Sequence, residues 1–464
     1  MPENVHQKQY YVIKGDKSQS RVREQLKFEF YRAYMSAAEV SPEHLGTFQD
    51  NLRAPIHRWF KYPAGFSYKL VETLIDDKRL SASHWLLDPF VGCGTTSVVA
   101  KERGINSLGI EAHPFIWWVA KVKCFWEYDM QSLHRLMLEL VTYLLQTPAI
   151  ETAGALDKYP SLVHKCYSPA NLKKLDFIRD AILRMDCADE ERDFFLLALA
   201  DTLRTASKAG TGWPYIAPSK YHEKQERDAI EVFCHQVQTM YKDLVIVQEH
   251  SRSQQAECRL LLMDAREPYP VEPESIDLAV TSPPYLNNYD YADRTRLEMY
   301  FLGWAKSWRE ITERVRDKLI IAATTQIRRT EFPDDPLSPE LREMAPKIYA
   351  ELTDKIHQLG KIRLGKGGKK SYDLMVAGYF NDMLQVLKQV YRVMKRNSEF
   401  VLVLGDSAPY GVYIPTEEYL GEIGLAVGFG GYRIRELRER GGKWGNNPQR
   451  HKVMLKESLL TLVK

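Results

Sequence analysis

The segment Thr281-Ser282-Pro283-Pro284-Tyr285 carries residue types that could do chemistry. Two successive prolines fix the backbone angles and remove two donors, which leaves a carbonyl aimed rigidly and free to accept. The Ser282 hydroxyl is a second acceptor beside it, and Tyr285 adds an aromatic face. An exocyclic amino group on a planar base has two hydrogens and would find two acceptors here. Holding both hydrogens turns the nitrogen lone pair toward an incoming electrophile. A base inside a duplex cannot reach such a turn, so flipping of the base is implied for a duplex substrate. The same five residues would also make a plain Pro-Pro turn closing a strand, with Tyr285 packed in the core.

A second constellation lies nearer the start of the chain. Asp88-Pro89-Phe90-Val91-Gly92-Cys93-Gly94-Thr95 follows a short apolar run, and Glu111 and Asp264 each end later apolar runs. Gly92 and Gly94 would let a ligand approach the backbone at the carboxyl ends of parallel strands. Glu111 can accept from both hydroxyls of a ribose, and Asp264 from an adenine amino group. A GxG turn alone is a weak signal and is also met in purely structural turns. A dinucleotide is disfavoured because Ser97 stands where the third glycine of GxGxxG would be. The set fits a nucleoside-bearing cofactor, and the Asp-Pro-Phe lead with the second acid favours S-adenosyl-L-methionine. Cys93 reads as a small packing residue rather than a nucleophile.

These residues need a sheet to hold them. His84–Asp88, a helical stretch Thr95–Arg103 and Ser107–Glu111 read as a βαβ unit. Further strand signals fall at 259–264, 276–280, 400–404, 432–437 and 452–463, with an amphipathic helix at 379–395. Seven strand candidates with intervening helices predict an α/β fold. It is a doubly wound, mostly parallel, Rossmann-like sheet with a final antiparallel pair and a large helical insertion. The insertion, 116–256, opens one of its helices with Ser168-Pro169, a hydroxyl cap followed by proline at the first helical position. The expected organisation is an N-terminal extension at 1–54, a catalytic domain at 55–115 and 257–464, the helical insertion as a candidate DNA-contact or target-recognition region, and a second, polar insertion at 305–372.

The chain has 464 residues, is 44% apolar and 27% charged, and carries a formal net charge of only +3. Overall charge therefore argues neither for nor against a nucleic-acid partner, which would need local basic patches. Six scattered cysteines with no CxxC pair argue against a disulfide scaffold and a structural zinc site and fit a reducing compartment. With a polar start and no run long and apolar enough to span a bilayer, the expected location is the cytoplasm.

At its two sites the sequence resembles the DNA amino-methyltransferases. Asp88 to Thr96 is similar to their cofactor motif, and Thr281 to Tyr285 to their catalytic motif in its Ser-Pro-Pro-Tyr form. In that family the serine form is associated with N4-cytosine methylation, and the Asp or Asn form with N6-adenine methylation. The segment His57 to Ser67, which contains Phe66, resembles the motif that closes over the methionine part of the cofactor. The resemblance implies double-stranded DNA as partner and a restriction–modification or other defence setting, with a cognate nuclease or another defence-system partner. Activity on the amino group of adenine, an RNA substrate, and a non-catalytic nucleic-acid-binding role remain as alternatives. For the DNA path the sequence offers two basic stretches, 361–370 and 433–456, and the Tyr-, Asn- and Arg-rich run 287–296 beside the catalytic turn.

Overall fold

A computed structural model describes residues 42–148, 155–211, 215–250, 256–440 and 453–464. Seven strands form one sheet: β1 (Trp85–Asp88), β2 (Asn106–Glu111), β5 (Cys258–Leu262), β6 (Ile276–Thr281), β7 (Met394–Gly405), β8 (Gly431–Arg440) and β9 (Leu455–Val463). Their order is β5-β2-β1-β6-β7-β9-β8. The first five are parallel, and β9 enters antiparallel between β7 and β8. A small hairpin, β3 (Gly210–Thr211) with β4 (Ile216–Ala217), stands apart.

The strand order reverses beside β1, where β2 lies on one side and β6 on the other. That is the switch point at which open α/β sheets leave a crevice beyond their carboxyl ends. Asp88, at the end of β1, and Thr281, at the end of β6, meet there.

Both faces of the sheet are covered. Leu260 packs against one apolar cluster and its neighbour Leu261 against the other, as successive strand residues must. The first cluster is built on the helices between Pro114 and His250, and it takes in Trp59 and Phe60 from ahead of β1. The second joins Leu87, Leu108, Phe400 and Leu402 of the sheet to the helices Tyr372–Val393 and Thr416–Val427.

All seven expected strands are present, with adjusted bounds. The helix expected at 379–395 is Tyr372–Val393 and runs directly into β7, which begins at Met394 rather than near 400. The polar, exposed start of β7 hid it from an apolar pattern search. The run ending at Asp264 stops as a strand at Leu262. Asp264 instead accepts the backbone N–H of Arg266 at 2.9 Å and turns the chain. Ser168 caps its helix as expected, accepting from Asn171 N, with proline next. Residues 1–41 of the N-terminal extension and 441–452 of the second basic stretch lie outside the described residues.

Candidate active site

At the carboxyl ends of β1, β2, β5 and β6 lies a cavity of about 760 Å³, its mouth included. Of the residues singled out in the sequence, Phe66, Pro89, Phe90, Gly92, Thr95, Glu111, Asp264, Ser282 and Pro284 line it. Both motifs therefore open into a single space.

Glu111 is placed by the end of β2. Its Oε2 accepts the Gly92 N–H at 3.0 Å and its Oε1 the His113 N–H at 2.8 Å. Each oxygen keeps a lone pair for a further donor. Burial pushes the carboxyl up to about 7. His113, beside it, is pulled down to about 3 by burial and bonds Thr295 through Nε2. Asp264 reaches the cavity wall, but its carboxylate is also held by the Arg266 guanidinium, which pairs in turn with Asp382 at 2.9 Å.

Asp88, Gly94, Pro283 and Tyr285 do not line the cavity. Asp88 is buried beneath it. Its Oδ1 accepts from the Thr281 hydroxyl at 2.6 Å and from Phe90 N at 3.1 Å, and its Oδ2 from the Thr96 hydroxyl at 2.6 Å. One carboxylate thus ties the glycine turn to the residue preceding Ser282. Burial raises Asp88 to about 6, against the pull of these hydrogen bonds. Gly94 caps the helix Thr95–Glu102 with φ +89°, and a Cβ there would be in ordinary contact with Ala120 at 3.4 Å. Its glycine is required by the backbone angle.

The Ser282 hydroxyl donates to the Val403 carbonyl at 3.3 Å, so its oxygen is left as an acceptor. The Tyr285 hydroxyl donates to Glu457 Oε1 at 3.1 Å, and Glu457 Oε2 accepts from Arg438 Nε at 2.7 Å. Burial and the Glu457 carboxylate hold the Tyr285 phenol well above its usual range, so it stays protonated. The Arg440 guanidinium lies 5.3 Å from the Tyr285 ring centroid. The backbone N–H of Tyr285 donates to the Tyr291 hydroxyl at 3.2 Å, and Ser407 donates to the carbonyl of Leu286.

Comparison with known proteins agrees with this geometry. The family described as DNA methylase, covering N6 and N4 enzymes, matches residues 5–121. The Type II methyltransferase M.BsoBI of Geobacillus stearothermophilus is 25% identical over 94% of this chain and 91% of its own length. M.AvaI of Nostoc sp. is 24% identical over 88% and 86%. M.MjaII of Methanocaldococcus jannaschii is 36% identical over a shorter stretch, 18% of this chain and 16% of its own. These matches support the DNA amino-methyltransferase family for this chain. It is therefore an enzyme, of a family that generally uses S-adenosylmethionine.

The cavity of this methyltransferase fits that cofactor. It offers a two-oxygen acceptor at Glu111, aromatic walls at Tyr62, Phe66 and Phe90, and backbone at Gly92. Several of its structural residues were not legible in the sequence. Asn51, in the expected N-terminal extension and fully buried, donates to the Phe66 carbonyl at 3.0 Å and to Thr95 Oγ1 at 3.3 Å, and accepts from Tyr68 N at 2.9 Å. It locks the Phe66 segment onto the glycine-turn helix. Asp243 of the helix Ala229–His250 accepts from Ile56 N and Trp59 Nε1, both at 3.1 Å. Asp201 accepts from Lys61 N at 3.2 Å. Part of the helical insertion thus positions the cofactor-side segment 56–66. Lys318, Leu319 and Ile320, from the expected second insertion, complete the wall. No local motif marks these residues, because each acts through a partner far away in the chain. Among the described residues, no helix is long and apolar enough to cross a membrane.

Proposed function

We propose that this enzyme methylates the N4 amino group of cytosine in duplex DNA, taking the methyl group from S-adenosylmethionine. The observation that carries this reading is the opening of Ser282 and Pro284 into the same cavity as Gly92 and Glu111. The serine in the catalytic turn supports cytosine over adenine, by the association of that motif form within the family.

Glu111 holds the ribose hydroxyls, and Phe66 and Phe90 enclose the cofactor. Asp264, shared with Arg266, faces the adenine. Bound there, the cofactor supplies an electrophilic methyl group on its sulfonium. Ser282, whose own hydrogen is taken by Val403, accepts one amino hydrogen of the flipped base, and the Pro283 carbonyl accepts the other. Tyr285, held through its hydroxyl by Glu457, gives the base a surface to stack on. As the methyl group passes from sulfur to N4 its bond to sulfur breaks and one amino proton leaves to solvent; among the described residues no side chain with the character of a strong base stands at the turn, so rate comes from positioning. The Type II designation of the relatives supports a restriction–modification setting with a partner nuclease.

The test is transfer of labelled methyl from S-adenosylmethionine to unmethylated duplex DNA, followed by nucleoside mass spectrometry. The expected product is N4-methylcytosine. N6-methyladenine would overturn the base and keep the chemistry; label in RNA but not DNA would overturn the substrate.

A further inference from the structure

A second hollow lies away from the cofactor cavity. It is an open trough of about 1,200 Å³, lined by Ser161, Lys165, Lys208, Ser219 and Arg296 among others, and among the described residues no carboxylate lines it. Arg296 is already engaged: its Nε is 3.1 Å from Asp293, and its guanidinium lies 4.2 Å from the Trp308 ring centroid. Among the described residues, neither the Lys165 nor the Lys208 ammonium has a carboxylate partner. Two uncompensated cations with two hydroxyls on an open concave surface form a site for an extended polyanion.

The position of the trough identifies that polyanion. Tyr285 N bonds the Tyr291 hydroxyl. Tyr291 packs on Tyr289 at 4.5 Å, and Tyr289 on Tyr215 at 5.8 Å. The Tyr215 hydroxyl accepts from Asp290 N at 2.7 Å. Tyr215 adjoins the β3–β4 hairpin, and Lys208 and Ser219 flank that hairpin on either side. This run of contacts links the catalytic turn to the hairpin whose flanking residues Lys208 and Ser219 line the trough. Among the described residues, neither of the basic stretches conspicuous in the sequence lines it. Its cations come from positions 165, 208 and 296, which no window of sequence unites.

We propose that the trough seats the sugar–phosphate backbone of duplex DNA beside the target base, with Lys165 and Lys208 as phosphate contacts and Ser161 and Ser219 donating to phosphate oxygens. The proposal rests on the DNA-methylation reading and adds where the duplex is held. Such contacts fix register and contribute affinity without reading sequence.

The experiment compares the full-length enzyme with the double variant Lys165→Ala/Lys208→Ala. Binding of an unmethylated duplex is followed by fluorescence anisotropy across a salt series, with cofactor affinity measured in parallel. Each lost phosphate contact lowers the slope of log affinity against log salt by about 0.9, so the double variant should lose about 1.8 and bind roughly tenfold more weakly at low salt. Cofactor affinity should not move, and Lys165→Arg/Lys208→Arg should restore both slope and affinity. An unchanged slope and affinity in the alanine variant overturns the trough while leaving DNA methylation standing. A wild-type enzyme that neither binds nor methylates duplex DNA overturns both.

Discussion

The cofactor half of the cavity and the amino-group half are built in opposite ways. On the proposed cofactor side, the cavity-lining residues Pro89, Phe90, Gly92, Thr95 and Glu111 lie within one βαβ unit, with Gly92 bonded to Glu111 and Phe90 to Asp88, and the flanking Phe66 segment is held from afar, by Asn51. On the other side, the five-residue turn at Ser282 is short, and everything that holds it is remote in sequence: Val403, Ser407, Glu457 and, nearer, Tyr291. A nucleoside ligand is rigid and can be met by a preformed local scaffold. A flipped base must be met by a few atoms in one orientation, and that orientation is fixed by long-range tertiary contacts. Asp88 belongs to both halves, since one carboxylate holds Thr96 and Thr281.

If the halves are functionally separate, mutations should divide accordingly. The largest effect is expected for Ser282→Ala: kcat falls by about a hundredfold, the usual order for lost positioning at a reacting atom. Cofactor affinity, read by calorimetry, stays within twofold of wild type. A parallel loss of cofactor affinity would erase the distinction. Glu111→Ala is its counterpart. Losing two hydrogen bonds to a carboxylate costs about 3 kcal/mol, or about a hundredfold in cofactor affinity. With cofactor saturating, kcat should largely return. A smaller change is expected for Tyr285→Phe, which removes only the bond to Glu457: kcat drops about tenfold and cofactor affinity holds.

The mildest test is pH. Glu111 lies near 7 because it is buried, and only its ionised form accepts from both ribose hydroxyls. Protonation as pH falls through 7 therefore weakens cofactor binding, by up to about tenfold between about pH 8 and pH 6. Glu111→Gln should flatten that profile. A profile that is already flat in the wild type would remove Glu111 from the ribose site.

The same asymmetry explains what could be read from the sequence. The βαβ unit with its acids and glycines is local, so its strands, its turn and most of its cavity-facing residues were legible. Ser282 to Tyr285 is legible as a motif, but the contacts that orient it are not. That Glu457 reaches the turn emerges only when β9 is found inserted beside β7, where Glu457 pairs with Gly405. Asn51 was assigned to an extension because its partners, Phe66 and Thr95, are joined to it only by the fold. Gly94 was grouped with Gly92 by spacing, yet it faces Ala120. The cations of the trough are dispersed over more than a hundred residues, beyond the reach of any charge window.

The place of β9 in the sheet has a consequence for the order in which the enzyme is made. Leu455–Val463 is the last of the sheet strands to leave the ribosome, yet it is an interior strand, flanked by β7 and β8 on either side. Every residue lining the cavity is synthesised before β9, whereas Tyr285 has no Glu457 to bind until β9 takes its place between β7 and β8. The turn that faces the base is thus the part of the site whose order waits on the last strand.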